Sequence, residues 1–174
     1  MNQQLRETIR NEISAVLDRE PDRGLIHTVS YHLANTLRGL SPRLIFHRPD
    51  DKKDRFRDFL ETPGAIFVSP SSMRGLDLYD DRCRWIYWLK CPFLDLGDKH
   101  TQTRLYGSGK WGRQWYISEA ISNILQGCGR GVRNEKDWCR VYLGDKQIGR
   151  LLEQHTGLWP RWFREAVSYE QNND

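Results

Sequence analysis

Short apolar runs alternate along this chain with longer stretches in which apolar residues recur every three or four positions. The short runs are typical of buried strands and fall at residues 24–29, 43–46, 65–69, 84–89 and 139–143. The longer stretches have the period of amphipathic helices and fall at residues 4–19, 31–40, 54–60, 117–128, 146–155 and 159–169. Because strands and helices alternate, the pattern predicts an α/β fold in which helices flank both faces of a parallel β-sheet.

The chain is predicted to fold as one domain preceded by a short helical segment. A length of 174 residues suits a single domain with a substantial core. Residues 1–22 are interpreted as an N-terminal lead-in helix that ends at Pro21-Asp22, and residues 23–174 as the domain proper. Residues 89–114 have no clear period and are rich in Gly, Lys, Arg and aromatic residues. We interpret them as an insertion of functional or mobile character.

The composition indicates an ordered protein that a nucleic acid can approach. Seven Trp, seven Tyr and six Phe are too many for a disordered chain, although 29% of the residues are charged. The net charge of +4 permits a nucleic-acid partner without requiring one. No apolar run is long enough for a membrane helix, and the first residues are polar. The cytoplasm is therefore the expected location, at the nucleoid if the source is bacterial, with no membrane partner.

The four cysteines are predicted to be buried thiols in a reducing compartment. Cys83, Cys91, Cys128 and Cys139 include no C-x-x-C pair and lack the spacing of a zinc or iron–sulfur site. We therefore expect no metal site in this chain and interpret the thiols as small apolar side chains of the core.

Residues 121–133 combine an amphipathic helix with three glycines and two arginines. Gln126, Arg130 and Arg133 are spaced four and three residues apart, so they would project from one side of the helix if it persists. An amide and two guanidinium groups on one face suit a polyphosphate, because the planar fork of arginine matches phosphate oxygens. The glycines would let this backbone approach a neighbour closely. The alternative interpretation is a helix end with Gly caps and arginines near the negative end of the helix dipole.

Turns rich in hydroxyl groups follow two of the predicted strands. The first strand leads into Thr28, Ser30 and Tyr31, and the third leads into Ser69, Ser71 and Ser72. Hydroxyls and free amides at the carboxyl end of a strand bind phosphates without reading bases. The alternative for the first turn is capping by Ser30 with packing of Tyr31, and for the second a Ser/Pro turn with a Gly kink. His27 is predicted to be a packed strand residue.

Three segments resemble motifs of superfamily 2 helicases. The Gln-x-x-Gly-Arg-x-x-Arg pattern of residues 126–133 resembles motif VI, and the surrounding sequence is similar to the XPD and DinG-like branch. Residues 24–31 resemble motif IV, and residues 69–78, which contain Gly75-Leu76-Asp77, resemble motif V. The three motifs follow one another in the family's order. The chain therefore resembles the second, C-terminal RecA-like motor domain of an XPD/DinG-like DNA helicase.

The resemblance implies a division of roles among these residues. Arg133 would be the arginine finger that acts, with Arg130, on the γ-phosphate of ATP. The nucleotide would also be contacted by Gln126, Gly75 and Asp77. Contacts to the backbone of single-stranded DNA are implied for Thr28, Ser30, Tyr31, Ser69, Ser71 and Ser72, and aromatic residues of the insertion would stack on bases. The family moves 5′ to 3′ along DNA.

The remaining parts of the ATP-binding machinery are expected in another domain. The sequence Gly107-Ser108-Gly109-Lys110 lacks the glycine spacing and the following hydroxyl of a phosphate loop. ATP and Mg²⁺ would be held mainly by an N-terminal RecA-like domain, the expected partner, which in this family also carries the iron–sulfur cluster. The chain alone would be a monomer that does not hydrolyse ATP. The alternative is a non-catalytic nucleic-acid- or partner-binding module derived from a helicase half.

Overall fold

Five parallel strands form the centre of the structure, a computed structural model that describes residues 3–70, 78, 80–132 and 136–169. The strands are Gly24–His27 (β1), Leu44–Phe46 (β2), Ile66–Ser69 (β3), Trp85–Trp88 (β4) and Arg140–Leu143 (β5). They pair in the order β2-β3-β1-β4-β5, and every pairing is parallel. Each strand lies within the range that its apolar run predicted. The predicted α/β fold with a parallel sheet is therefore confirmed.

The first strand in the chain is the central strand of the sheet. In the registers of β1 with its two neighbours, Leu25 pairs with Phe67 of β3 and with Ile86 of β4. All residues of β1, β3 and β4 are buried. A parallel strand covered on both faces needs apolar residues at consecutive positions, which explains why these strands appear in the sequence as unbroken apolar runs.

Helices cover both faces of this sheet, as predicted. They are Gln3–Arg19 (α1), Tyr31–Thr36 (α2), Lys52–Glu61 (α3), Lys99–Gly107 (α4), Gly109–Cys128 (α5), Lys146–Gln154 (α6) and Arg161–Ala166 (α7). The helices α1 and α2 pack against the face that carries Ile26 and Trp85. The helices α3, α5, α6 and α7 pack against the opposite face, which carries Leu25 and Phe67. None of the described helices has the length and apolarity that a membrane crossing requires.

Residues 89–114, which show no clear period in the sequence, contain α4 and the start of α5. Asp98 begins α4, since its carboxylate accepts a hydrogen bond from the Thr101 amide at 2.9 Å. Thr101 is also the only buried residue of α4, so the helix has no apolar stripe that its sequence could reveal. Gly112 of α5 lies directly against the backbone of Leu105, which makes α4 and α5 a tight hairpin.

Two helices are shorter than the sequence predicted. Ser30 caps the start of α2 as expected, but the helix ends at Thr36 and not at residue 40. Gly39, with a φ angle of +74°, adopts a left-handed conformation that turns the chain toward β2. The last helix, predicted over residues 159–169, spans only Arg161–Ala166 because the backbone is extended at Val167.

The guanidinium group of Arg43 holds the amino edge of the sheet together. Its Nε atom donates to the carbonyl of Gly64 at 2.7 Å, and Nη1 donates to that of Leu17 at 3.0 Å. Its Nη2 atom lies within 3.0 Å of the carbonyls of residues 20–22, which join α1 to β1. One side chain therefore connects the end of α1, the approach to β1 and the turn before β3. Backbone carbonyls at such sites would otherwise lack partners.

We expect Arg43→Lys to lower the free energy of unfolding by about 3 kcal/mol, because an ammonium group cannot reach carbonyls on so many sides and leaves some of them unsatisfied. Urea denaturation followed by circular dichroism measures the change. The control is Arg55→Lys on α3, whose two carboxylate partners lie on the surface and whose side chain is 52% exposed. The control should change stability by about 0.5 kcal/mol or less. Equal effects of the two substitutions would contradict the role given to Arg43.

Candidate functional site

The strands β1 and β3 end next to each other at the carboxyl edge of the sheet. The turns that follow the first and third predicted strands therefore lie together. His27 pairs with Ser69 in the register of the two strands, and the amide of Thr28 donates to the carbonyl of Ser69 at 3.0 Å. The two hydroxyl-rich turns therefore begin side by side at one edge of the sheet. This is the edge at which open parallel sheets bind their ligands.

The hydroxyl groups at this edge have partners within the protein. Thr28 is fully buried and donates from its side chain to the carbonyl of Ser30 at 3.1 Å. The hydroxyl of Ser30 accepts from the Leu33 amide at 3.2 Å, which is the capping role that the sequence offered as an alternative. Ser69 is also fully buried. Of the predicted DNA-contacting residues of this turn, Tyr31 presents its side chain most openly, with 40% of it exposed.

The turn between Thr28 and Ser30 has an unusual backbone conformation. Val29 has a φ angle of +62°, in the left-handed region that β-branched residues rarely adopt. The hydrogen bond from Thr28 to the Ser30 carbonyl spans this residue and holds the turn in place. Strained backbone of this kind concentrates at functional sites. It therefore supports the assignment of a binding function to this edge.

His47, which no sequence motif marks, directly follows β2 and contacts the same edge. The ring is buried, and its Nε2 atom lies 3.1 Å from the hydroxyl oxygen of Ser69. It stacks on Phe67 with ring centroids 5.2 Å apart and meets the edge of Tyr31 at 5.9 Å. The one sequence signal was its position directly after a strand. Its importance depends on β2 pairing with β3, which the sequence alone does not show.

His27 is a packed strand residue, as predicted. It is 4% exposed and stacks on Trp88 with ring centroids 4.0 Å apart. Among the described residues, its Nε2 atom has no hydrogen-bond partner. Burial, followed by the positive charges of Arg130 and Lys52, lowers the pKa of His27 from 6.5 to about 3. The ring is therefore neutral at physiological pH, and it lies within the electrostatic reach of the arginine that follows α5.

The helix that carries Gln126 ends at Cys128, so the condition under which Gln126, Arg130 and Arg133 would share one helical face is not met. The α-helix ends at Cys128, a 3₁₀ turn covers Gly129–Gly131, and the backbone is extended at Val132. Glycine has a low helix propensity, which explains the end of the helix within this Gly-rich run. Gln126 is exposed and Arg130 is half-buried at this turn.

Two of the glycines here have the close contacts that the sequence predicted. Gly127 lies against the Trp88 side chain, where a Cβ atom would collide with the indole ring. At Gly131 a Cβ atom would lie 2.5 Å from the Sγ atom of Cys139. Around Gly129, by contrast, there is open space within 4 Å. The glycines at 127 and 131 thus set how closely the Arg130 turn approaches the sheet.

The cysteines are free thiols. Cys83, Cys91 and Cys128 are buried, as predicted, whereas the prediction is wrong for Cys139, which is half-buried. Burial is the main cause that raises the pKa of Cys91 and of Cys128 to about 12, so both stay protonated. Within the described ranges, no three or more His, Cys, Asp or Glu side chains are grouped in a way that could hold a metal ion.

Some of the predicted site residues lie outside the described residues. Ser71, Ser72, Gly75 and Asp77 belong to this group, and so does Arg133. Their roles stay predictions. Leu78, which directly follows the second turn, is fully buried in the core beside α5 and α6.

Comparison with known proteins identifies relatives of this fold. The model of the helicase C-terminal domain family matches residues 13–166. The ATP-dependent DNA helicase CHL1 of Eremothecium gossypii is 25% identical over 154 residues, which cover 72% of this chain and 19% of that protein. This chain thus spans about a fifth of the length of that curated relative.

Solved structures of XPD proteins share the fold. A structure of an XPD helicase superposes with a TM-score of 0.72 at 14% identity over 91% of this chain and 31% of its own. A structure of apo XPD gives 0.68 at 15% identity, over 84% of this chain and 33% of its own. Xpd4 of S. tokodaii gives 0.55 at 11% identity, over 87% and 32% respectively. The predicted RecA-like architecture is confirmed by these similarities.

We expect Gly131→Ala to destabilise the protein by about 2 kcal/mol, because the new methyl group would press against Cys139 in a closely packed region. The matched control is Gly129→Ala, which should be neutral or slightly stabilising, since there is space for the methyl group and alanine restricts the unfolded chain. Thermal and urea denaturation of both variants provide the comparison. Two equally tolerated substitutions would argue against a tight contact at residue 131.

We also expect a pH dependence of stability that originates at His27. Well above pH 6.5 the ring is neutral in both the folded and the unfolded chain. As the pH falls from 6.5 toward 3, the unfolded chain binds a proton that the folded chain excludes, so stability decreases. The contribution reaches about 1.4 kcal/mol per pH unit. His27→Gln should flatten this part of the stability profile measured by urea denaturation between pH 7 and pH 4. An unchanged slope would show that His27 is not the cause.

Proposed function

Because the chain belongs to the helicase C-terminal domain family, we propose that it is the second motor domain of an XPD-like ATP-dependent DNA helicase. The observation that carries the proposal is the geometry of the Arg130 turn. Arg130 lies on a 3₁₀ turn, and the glycines at 127 and 131 lie directly against Trp88 and Cys139. A guanidinium group held in this way suits the face that a second motor domain turns toward bound nucleotide.

In this function the arginines of the turn act on the phosphates of ATP. Arg133 serves as the arginine finger, and Arg130 supports it by adding a second forked donor that neutralises charge in the transition state. Gln126, exposed on the last turn of α5, orients the phosphate or the attacking water. Gly75 and Asp77 line the nucleotide cleft. ATP and Mg²⁺ are held mainly by an N-terminal RecA-like domain, which is the partner of this chain.

The edge formed by β1 and β3 is the proposed contact for the backbone of single-stranded DNA. Since the hydroxyls of Thr28, Ser30 and Ser69 have partners inside the protein, we assign them the task of holding the turns in shape. Tyr31, Ser71 and Ser72 then meet the DNA backbone directly. The proposed polarity is 5′ to 3′, which follows the family resemblance. By itself the chain is a monomer.

The test is ATP turnover by this chain combined with its N-terminal motor domain in the presence of single-stranded DNA. We expect Arg133→Ala to reduce turnover by ~10³-fold or more, as loss of an arginine finger does in related phosphoryl transfer. Arg130→Ala should also reduce turnover. Arg133→Lys should restore little, because lysine lacks the planar fork. The control is Arg150→Ala, which removes an exposed arginine of α6 and should leave turnover unchanged.

Two outcomes would contradict the proposal. The first is turnover within a few-fold of the wild type for Arg133→Ala, which would favour a non-catalytic nucleic-acid- or partner-binding module. The second is turnover at ordinary helicase rates by the 174-residue chain alone. The chain lacks a phosphate loop, so its arginines have no ordered phosphate to act on without a partner domain.

A further inference from the structure

Two free thiols lie beside each other where the strands β4 and β5 begin. Cys139 directly precedes β5, and Cys83 lies two residues before β4. The amide of Arg140 donates to the carbonyl of Arg84 at 3.0 Å, so the approaches to the two strands already run side by side. Both thiols belong to the face of the sheet that packs against α5.

The spacing of these two positions is suited to a disulfide. The register that pairs Trp85 with Arg140 places Cys139 opposite Arg84, so Cys83 is offset from Cys139 by one residue. Neighbouring parallel strands lie about 4.8 Å apart and rise about 3.3 Å per residue, which puts positions offset in this way about 6 Å apart. Disulfides join Cα atoms that are roughly 4.4–6.8 Å apart. The thiol of Cys83 also lies within hydrogen-bond reach of the Cys139 thiol.

The two thiols differ in their access to solvent. Cys139 is half-buried, whereas Cys83 is fully buried. The hydrogen bond with Cys139, followed by burial, holds the pKa of Cys83 well above its ordinary value, so this group stays a thiol at neutral pH. Oxidants react with accessible cysteines in their thiolate form. Cys139 is therefore the residue that an oxidant reaches, and Cys83 is the partner that lies behind it.

A glycine of the arginine-bearing turn lies against both cysteines. A Cβ atom at Gly131 would lie 2.5 Å from the Sγ atom of Cys139 and 3.5 Å from the carbonyl oxygen of Cys83. Arg130 directly precedes this glycine on the same 3₁₀ turn. The position of the Cys139 sulfur therefore bears directly on the packing of the turn that presents Arg130.

We propose that Cys139 and Cys83 form a reversible disulfide when the protein meets a peroxide. Cys139 loses its proton, and its thiolate attacks one peroxide oxygen. The O–O bond breaks, Cys139 becomes a sulfenic acid, and the leaving hydroxide takes up a proton to form water. The Cys83 sulfur then attacks the Cys139 sulfur, the S–O bond breaks, and the hydroxide leaves as water with the Cys83 proton. Two thiols are oxidised by two electrons, which reduce hydrogen peroxide to two molecules of water.

The disulfide acts on the Arg130 turn through Gly131. Forming the bond draws the Cys139 sulfur toward Cys83 and away from the glycine that packs on it. The turn then loses a packing partner and opens more often. Intracellular disulfides are typically transient and redox-sensing, which fits a pair that a thiol reductant restores. The thiol chemistry does not depend on the proposed function, whereas its effect on ATP turnover rests on it.

Treatment of the folded 174-residue chain with hydrogen peroxide, followed by peptide mapping with mass spectrometry, tests the proposal. The wild type should give a linked peptide pair that contains Cys83 and Cys139, and dithiothreitol should release it. Cys139→Ser should abolish this product and slow the loss of free thiols by about tenfold, because the accessible sulfur is gone. Cys83→Ala should leave a sulfenic acid at Cys139 that dimedone traps, since the second step has no partner.

Two other cysteines provide matched controls. Cys91 follows β4 at the opposite edge of the sheet, and Cys128 is the last residue of α5 on the Cys139 side. Burial is the main cause that raises the pKa of each to about 12. Cys91→Ala and Cys128→Ala should both form the disulfide between Cys83 and Cys139 at the rate of the wild type.

Hydrogen exchange of the oxidised and reduced chains tests the coupling to the turn. Oxidation should accelerate exchange of the amides of residues 129–131 by about tenfold, because the turn opens more often. The same treatment of Cys139→Ser should leave exchange at these amides unchanged, which separates the disulfide from other effects of the peroxide.

Three results would overturn the proposal. They are the absence of the linked peptide pair in the oxidised wild type, a disulfide of Cys139 with Cys128 in its place, and equal loss of the product in Cys91→Ala and Cys139→Ser. An oxidised chain with unchanged exchange at residues 129–131 would overturn the coupling to the Arg130 turn. None of these results bears on the role of the arginines in ATP turnover, which the two-domain enzyme tests separately.

Discussion

The Arg43 guanidinium donates hydrogen bonds to backbone carbonyls at the amino edge of the sheet and so joins the end of α1, the approach to β1 and the turn before β3. Arg43 donates to the carbonyls of residues 20–22, and other side chains also form hydrogen bonds with this segment. The indole nitrogen of Trp85 donates to the Asp22 carbonyl at 3.0 Å. The buried carboxylate of Glu20 accepts from the Tyr142 hydroxyl at 2.6 Å and pairs with Arg140, which ties in the edge strand β5. Charged donors are suited to this task because buried carbonyls without partners would be costly.

The opposite edge of the sheet, where β1 and β3 end side by side, is the edge to which we assign a binding function. Buried hydroxyls and a buried histidine stabilise the turns that follow β1 and β3 at this edge. Thr28 braces Val29 in a left-handed conformation, and His47 lies in contact with Ser69 and Tyr31. The same edge lies within reach of the Arg130 charge. Preorganised turns and a nearby guanidinium are what a site for phosphates needs, because little reorganisation then remains on binding.

Helix α5 leads directly into the turn that carries Arg130. With 20 residues, this helix is about 30 Å long. The contacts of Gly127 with Trp88 and of Gly131 with Cys139 fix the arginine end against the sheet.

The sequence alone determined the elements whose pattern reflects burial. Strands β1, β3 and β4 were predictable because both of their faces are covered, which makes their residues continuously apolar. The motifs after them were recognisable because each motif consists of residues that are close together in the sequence. Other features were decided only by the tertiary structure. One is α4, which has no apolar stripe. Another is the close approach of the Arg130 turn to Trp88 and Cys139 through the glycines at 127 and 131. The tertiary structure also places the Ser69 hydroxyl within hydrogen-bond distance of His47, 22 residues away, at a buried position. Hydrophobic period is a property of neighbouring residues, whereas the partner of a polar atom depends on which distant segments the topology brings together.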